Sequence, residues 1–252
     1  MSKLKKPLLF VLSLLPVAIL GGIFAGYYLL DTMDPAMKEE MARQVGDLGV
    51  MVIVGIVQTV LYGLVAGFLG YILTRKIGLL KPFTFQKKRL LWAVAAGAFT
   101  GALLCVDHFV SGTLYPQIQT VNLTSISIHS VLASILYGGI IEEVLLRLFF
   151  MSLLALIIWK LFFRKYTQDQ IPQKVYIIAN VVAALVFSAG HLPATVSMFG
   201  GLDLFLVARC FLLNGIGGYL FGEIFRKYGI GYAMIAHAGA HIVKFALFGI
   251  FL

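Results

Sequence analysis

The sequence predicts an all-α integral membrane protein, a polytopic bundle of about seven transmembrane helices, or eight if one long segment divides. Three observations predict it. Of 252 residues, 60% are hydrophobic and only 12% are Asp, Glu, Lys or Arg, about half the charged share of an ordinary soluble domain. Mean hydropathy is +0.96. The apolar residues also fall in runs of about 20 or more, the length a helix needs to cross a hydrocarbon core. Soluble globular, disordered, collagen-like and disulfide-scaffold classes are disfavoured by the same figures.

In chain order, the expected spans are residues 8–30, 48–74, 90–106, 126–159, 175–191, 203–222 and 230–252. The first follows Lys3, Lys5 and Lys6, as a signal peptide would. Its 23 apolar residues are too many for a signal h-region, and no small-residue cleavage site precedes Asp31, so it reads as a span. Residues 126–159 number 34, too many for one straight crossing, and Gly138-Gly139 interrupts them. Two adjacent glycines weaken a helix, so a short entry or re-entrant piece is expected, then a helix from about Ile140. The last segment holds Gly231, Gly239, Gly249 and Lys244 and is a second place where a helix could divide. Cys105 and Cys210 both lie in apolar stretches and read as buried small hydrophobes. The halves share no visible repeat, which weakens an inverted-repeat transporter reading.

Net charge is +9, from 20 Lys+Arg against 11 Asp+Glu. Fifteen of those cations fall at the N-terminus and in alternate loops, at 75–89, 160–174 and 226–227. The opposite loops hold only Lys38 and Arg43, with seven acids: Asp31, Asp34, Glu39, Glu40, Asp47, Asp107 and Asp203. The positive-inside rule therefore predicts a multi-pass protein of the cell membrane with its N-terminus cytoplasmic. The bilayer accounts for the basic excess, and a nucleic-acid partner has no support.

Three cations do not follow this pattern: Arg147, Arg209 and Lys244. With Glu142, Glu143, His191, His237 and His241, and His129 at the margin, they form the intramembrane ionisable set. A charge at the centre of a spanning helix costs roughly 2.5–3.5 kcal/mol on insertion scales, so each needs a partner or a purpose. In Glu142-Glu143-Val-Leu-Leu-Arg147, Glu143 and Arg147 are spaced i,i+4 and stack on one helix face. That pair reads as a buried ion pair. Glu142, about 140° away from Arg147, points elsewhere. A second carboxylate in low dielectric is a plausible general base for activating water. His191 ends the run Phe187-Ser-Ala-Gly-His191. His237 and His241 share one helix face with only small residues between them, the spacing of a zinc half-site but without the glutamate of HExxH. A glutamate and three histidines on three spans have the composition of a hydrolytic site, metal-free or metal-bound.

Glu142-Glu143-xxx-Arg147, Phe187-xxx-His191 and His237-xxx-His241 resemble, in order and spacing, the EExxxR, FxxxH and HxxxN/D motifs of a known family. It is the CAAX prenyl protease and bacteriocin-processing family of intramembrane proteases. The resemblance covers about residues 126–245. It implies a helical bundle around a polar, water-filled cavity, and one integral domain in which helices of 1–125 precede a catalytic core at 126–252. It implies that Glu142 and His191 activate the attacking water and that His237 and His241 form the oxyanion hole, with Glu143, Arg147 and Phe187 supporting. The implied substrate is a membrane-associated peptide or protein, lipidated or not, and no cofactor is expected. His241 departs from the pattern, standing where the family has Asn or Asp. An imidazole N–H can donate to an oxyanion as an amide does. Equally, Glu142, His191, His237 and His241 together would suit Zn²⁺. Two readings without proteolysis stay open: a self-immunity or sensor-partner scaffold, and a proton or cation relay.

Overall fold

The computed structural model describes residues 4–33, 35–124 and 126–251, so Lys3 and Asp34, counted above, lie outside the described residues, as do positions 125 and 252 at the segment bounds. The described residues form helices α1 (Lys5–Thr32), α2 (Pro35–Val45), α3 (Gly49–Lys76), α4 (Lys87–Leu114), α5 (Gln117–Thr124) and α6 (Ile128–Phe162). These are followed by α7 (Gln173–Gly190), α8 (Leu192–Phe199), α9 (Leu204–Tyr228) and α10 (Ile230–Phe251). Seven segments are long and apolar enough to cross a membrane: α1, α3, α4, α6, α7 with α8, α9 and α10. The chain is therefore an all-α polytopic membrane bundle. Leu12, Ile53, Leu91, Val110 and Leu212 are among many large apolar side chains facing outward, as suits a protein whose surrounding solvent is lipid.

Lipid offers helices no hydrophobic reason to associate, so close packing through small residues takes over. On α1, Gly22 and Gly26 repeat at i,i+4, and a Cβ on either would lie 2.6 Å from the Cα of Ile56 or Val52 on α3. Gly97 and Gly101 do the same on α4, where an added Cβ would lie 2.5 Å from the carbonyl oxygens of Ala236 and Ala240. That contact seats α10, the helix of His237 and His241, flat against α4. Tyr232 anchors its beginning, accepting from the Gln86 N–H at 2.9 Å and donating to the Thr84 carbonyl at 2.8 Å.

Two expectations are corrected. Neither α6 nor α10 divides. The Gly138-Gly139 pair lies inside one continuous helix whose turns over Ser134–Glu142 and Val144–Met151 are π-helical. The glycines serve proximity: a Cβ on Gly139 would lie 2.7 Å from the Cα of Ala238 on α10. Wide turns disturb the regular ladder and leave carbonyls in need of donors. Thr74 of α3 donates to the Leu148 carbonyl at 2.9 Å, and Ser152 donates to that of Arg147 at 3.3 Å. The second correction concerns Asp107, read as a loop acid because of its charge. It lies within α4, buried, and its carboxylate takes the Arg209 Nε–H at 2.8 Å. Each of these two ions is thereby the partner that the other requires. Both cysteines are buried and free.

Candidate active site

Glu143 and Arg147 of α6 are both fully buried, at 0% and 1% exposure, and their Oε1 and Nη1 atoms lie 3.0 Å apart. The predicted pair therefore forms, and it has further partners. Arg147 Nη2 donates to the Gly218 carbonyl on α9 at 2.8 Å, and the guanidinium lies over the Phe187 ring, 4.8 Å from its centroid. A Cβ on Gly218 would come within 3.3 Å of Arg147 Nη2, so a small residue is needed where the arginine meets α9.

From α10, His237 reaches Glu143, with Nδ1 2.9 Å from the same Oε1. Donation of the Nδ1 proton to the carboxylate sets the imidazole's tautomer and orientation. Its ring is stacked on Phe221 of α9 at 4.6 Å and stands edge-on to Phe187 at 5.7 Å. On its other side, His237 Nε2 lies 3.2 Å from His241 Nε2. The i,i+4 spacing thus produces direct contact between the two imidazoles.

His191 stands where α7 passes into α8. Its Nδ1 is 2.8 Å from the Phe187 carbonyl, and the Phe187 ring lies edge-on at 4.6 Å. That bond uses Nδ1 and leaves Nε2 for the cavity. The span continues past His191 to Phe199 rather than ending there.

His191, His237 and His241 line one cavity of about 40 Å³, together with Phe187, Phe221, Thr100 and Asn214. A volume of that order accommodates one or two waters. Asn214 was not singled out from the sequence. Its carboxamide donates to the Cys210 carbonyl at 3.0 Å, one turn back on α9, and the visible signal was a lone amide inside an apolar span.

Glu142 stands apart from this group. It is half-buried and no hydrogen bond joins it to His191 among the described residues. It faces the neighbourhood of Gly138, where an added Cβ would lie 3.9 Å from Glu142 Oε2 and 3.0 Å from His241 Nε2. The Glu142 carboxylate and the His241 imidazole therefore flank one glycine. His129, placed at the margin of the set, belongs elsewhere: its Nδ1 pairs with Asp31 at 2.8 Å, and Tyr27 stacks on its ring. His108, not considered from the sequence, is buried beside Phe248. Among the described residues, no group of three or more His, Cys, Asp and Glu side chains is arranged to hold a metal ion.

Compared with known families, residues 124–243 match the model described as type II CAAX prenyl endopeptidase, Rce1-like. The matched stretch contains Glu142, Glu143, Arg147, Phe187, His191, His237 and His241. No curated protein and no solved structure matches the chain.

Proposed function

Through residues 124–243 the chain belongs to the CAAX prenyl protease and bacteriocin-processing family, a family of membrane peptidases, and from that premise we propose that it is a metal-free, glutamate-dependent intramembrane endopeptidase. Its substrate is a membrane-associated peptide or protein, the lipidated C-terminus of the C-a-a-X type being the first candidate class. The distribution of basic residues among the loops supports a cytoplasmic N-terminus.

The observation that supports this most directly is the meeting of His191 with His237 and His241 at one small cavity within an apolar bundle. In the proposed reaction, Glu142 and the Nε2 of His191 orient a water and Glu142 takes its proton as the oxygen attacks the peptide carbonyl carbon. The carbonyl π electrons move to oxygen. His237 and His241 donate to that oxyanion. Its Nδ1 2.9 Å from Glu143, His237 presents Nε2 to the oxyanion beside His241. Collapse of the tetrahedral intermediate breaks the C–N bond, and the proton held by Glu142 passes to the leaving amine. Arg147 fixes Glu143 and so positions His237 without touching substrate.

A comparison of membrane and secreted peptides from cells carrying the wild type and Glu142→Gln tests the reading. Precursors should accumulate with Glu142→Gln while the inserted protein is present in equal amount. Identical peptide profiles would contradict it.

A further inference from the structure

One intramembrane charge, that of Lys244, takes no part in the catalytic steps above. Lys244 lies seven residues after His237 and three after His241 on α10, so all three share a helix face. The other two intramembrane cations have acids of their own: Arg147 has Glu143 and Arg209 has Asp107. Lys244 has no carboxylate within ion-pair reach among the described residues; its ammonium lies over the rings of Phe245 and Phe248, at 4.6 and 5.7 Å. It is within electrostatic range of Arg209 and of His241. Asp107 is already engaged by Arg209 and by the Ser111 hydroxyl at 2.5 Å. Lys244, Arg209 and Asp107 therefore make two cations and one anion, an excess positive charge in an apolar bundle. A lysine that merely snorkelled to the interface would have no need of the histidine face.

We propose that Lys244 binds the C-terminal carboxylate of the substrate and so measures the distance from the chain end to the cleaved bond. The proposal rests on the peptidase reading above. Seven residues of helix advance about 10.5 Å from His237 to Lys244. A C-a-a-X terminus carries three residues beyond its lipidated cysteine, and three extended residues span about 10 Å. A peptide whose carboxylate meets Lys244 thus brings the bond after that cysteine beside His237. The carboxylate supplies the missing anion, and the paired charges in low dielectric form a strong, charge-assisted hydrogen bond.

The test uses the full chain in lipid nanodiscs, with a fluorescent farnesylated peptide ending in C-a-a-X, prepared once as the free acid and once as the carboxamide. Binding is measured in a Glu142→Gln background, so that turnover does not interfere. With Lys244 present, the acid should bind about tenfold more tightly than the amide, the ratio expected of one charge-assisted contact. Lys244→Arg should keep most of that preference, and Lys244→Gln should bring the two affinities together. Equal affinities with Lys244 present, an undiminished preference in Lys244→Gln, or no binding of either peptide would each overturn the assignment. The acid-to-amide comparison on the unsubstituted lysine does not depend on any Lys244 variant folding. Hydrolysis is read separately with Glu142 intact: acid-selective binding without cleavage of either peptide would sink the peptidase reading while leaving the carboxylate site standing.

Discussion

Glu143 and His237, ninety-four residues apart in the chain, meet with Oε1 and Nδ1 2.9 Å apart in a fully buried contact. The same carboxylate oxygen lies 3.0 Å from Arg147 Nη1. One acid thus joins α6 to α10 and orients the imidazole that faces the cavity. The i,i+4 arithmetic gives Glu143 a partner on its own helix; the fold gives it a second partner on another, and the second is the one with chemical consequence.

Removing Arg147 or Glu143 should therefore damage folding as well as activity. Arg147→Ala leaves Glu143 buried with a reduced complement of partners, a change worth about 3–5 kcal/mol when a buried pair is broken. Folded yield and thermal stability in detergent should both fall. Wild-type stability for Arg147→Ala and Glu143→Ala together would show that the pair does not hold the helices.

The adjacent glycines of α6 should respond differently. Gly139→Ala forces a methyl to within 2.7 Å of the Ala238 backbone, and overpacking of that kind costs about 1–3 kcal/mol. Gly138→Ala instead meets the tip of His241 at 3.0 Å, between that ring and Glu142. Gly138→Ala should keep its yield and lose much of its turnover, whereas Gly139→Ala should lose yield first. Size-exclusion profiles and hydrolysis rates measured on the same preparations separate the two effects.

Asp107 and Arg209 provide a comparison outside the motif residues. Arg209→Leu leaves a buried carboxylate unpaired and should lower stability by about 3–5 kcal/mol, while replacing both by leucine should recover most of the loss. A double variant no more stable than the single one would mean that the pair contributes more than mutual neutralisation.

His241 stands where the family pattern has Asn or Asp, and the oxyanion role requires only an N–H donor. His241→Asn should retain substantial activity and His241→Ala should lose it. Activity in His241→Asn should also survive a strong chelator. A zinc cage would behave in the opposite way, losing metal and activity together, which elemental analysis of the two proteins would reveal.

The number and order of the spans were legible in the sequence because about 20 apolar residues have few alternatives in a bilayer. The motif residues were legible because ionisable groups are rare there. Three features were not. Gly138-Gly139 reads locally as a break, and only the proximity of Ala238 shows that the glycines admit a neighbouring helix. Asp107 reads as a loop acid until Arg209, 102 residues away, is seen to neutralise it. Asn214 carries no motif, and its place at the histidine cavity depends on how α9 is rotated. Each of these depends on a long-range contact, which helical periodicity cannot encode.

The role proposed for Glu142 is the activation of water for peptide hydrolysis. Its most direct test is the purified protein in nanodiscs with a farnesylated C-a-a-X peptide, the products being weighed by mass spectrometry in water enriched in ¹⁸O. The wild type should release a C-terminal fragment and leave one ¹⁸O in the new carboxylate. Glu142→Gln, equally folded, should release none. Undiminished cleavage by Glu142→Gln would contradict that role.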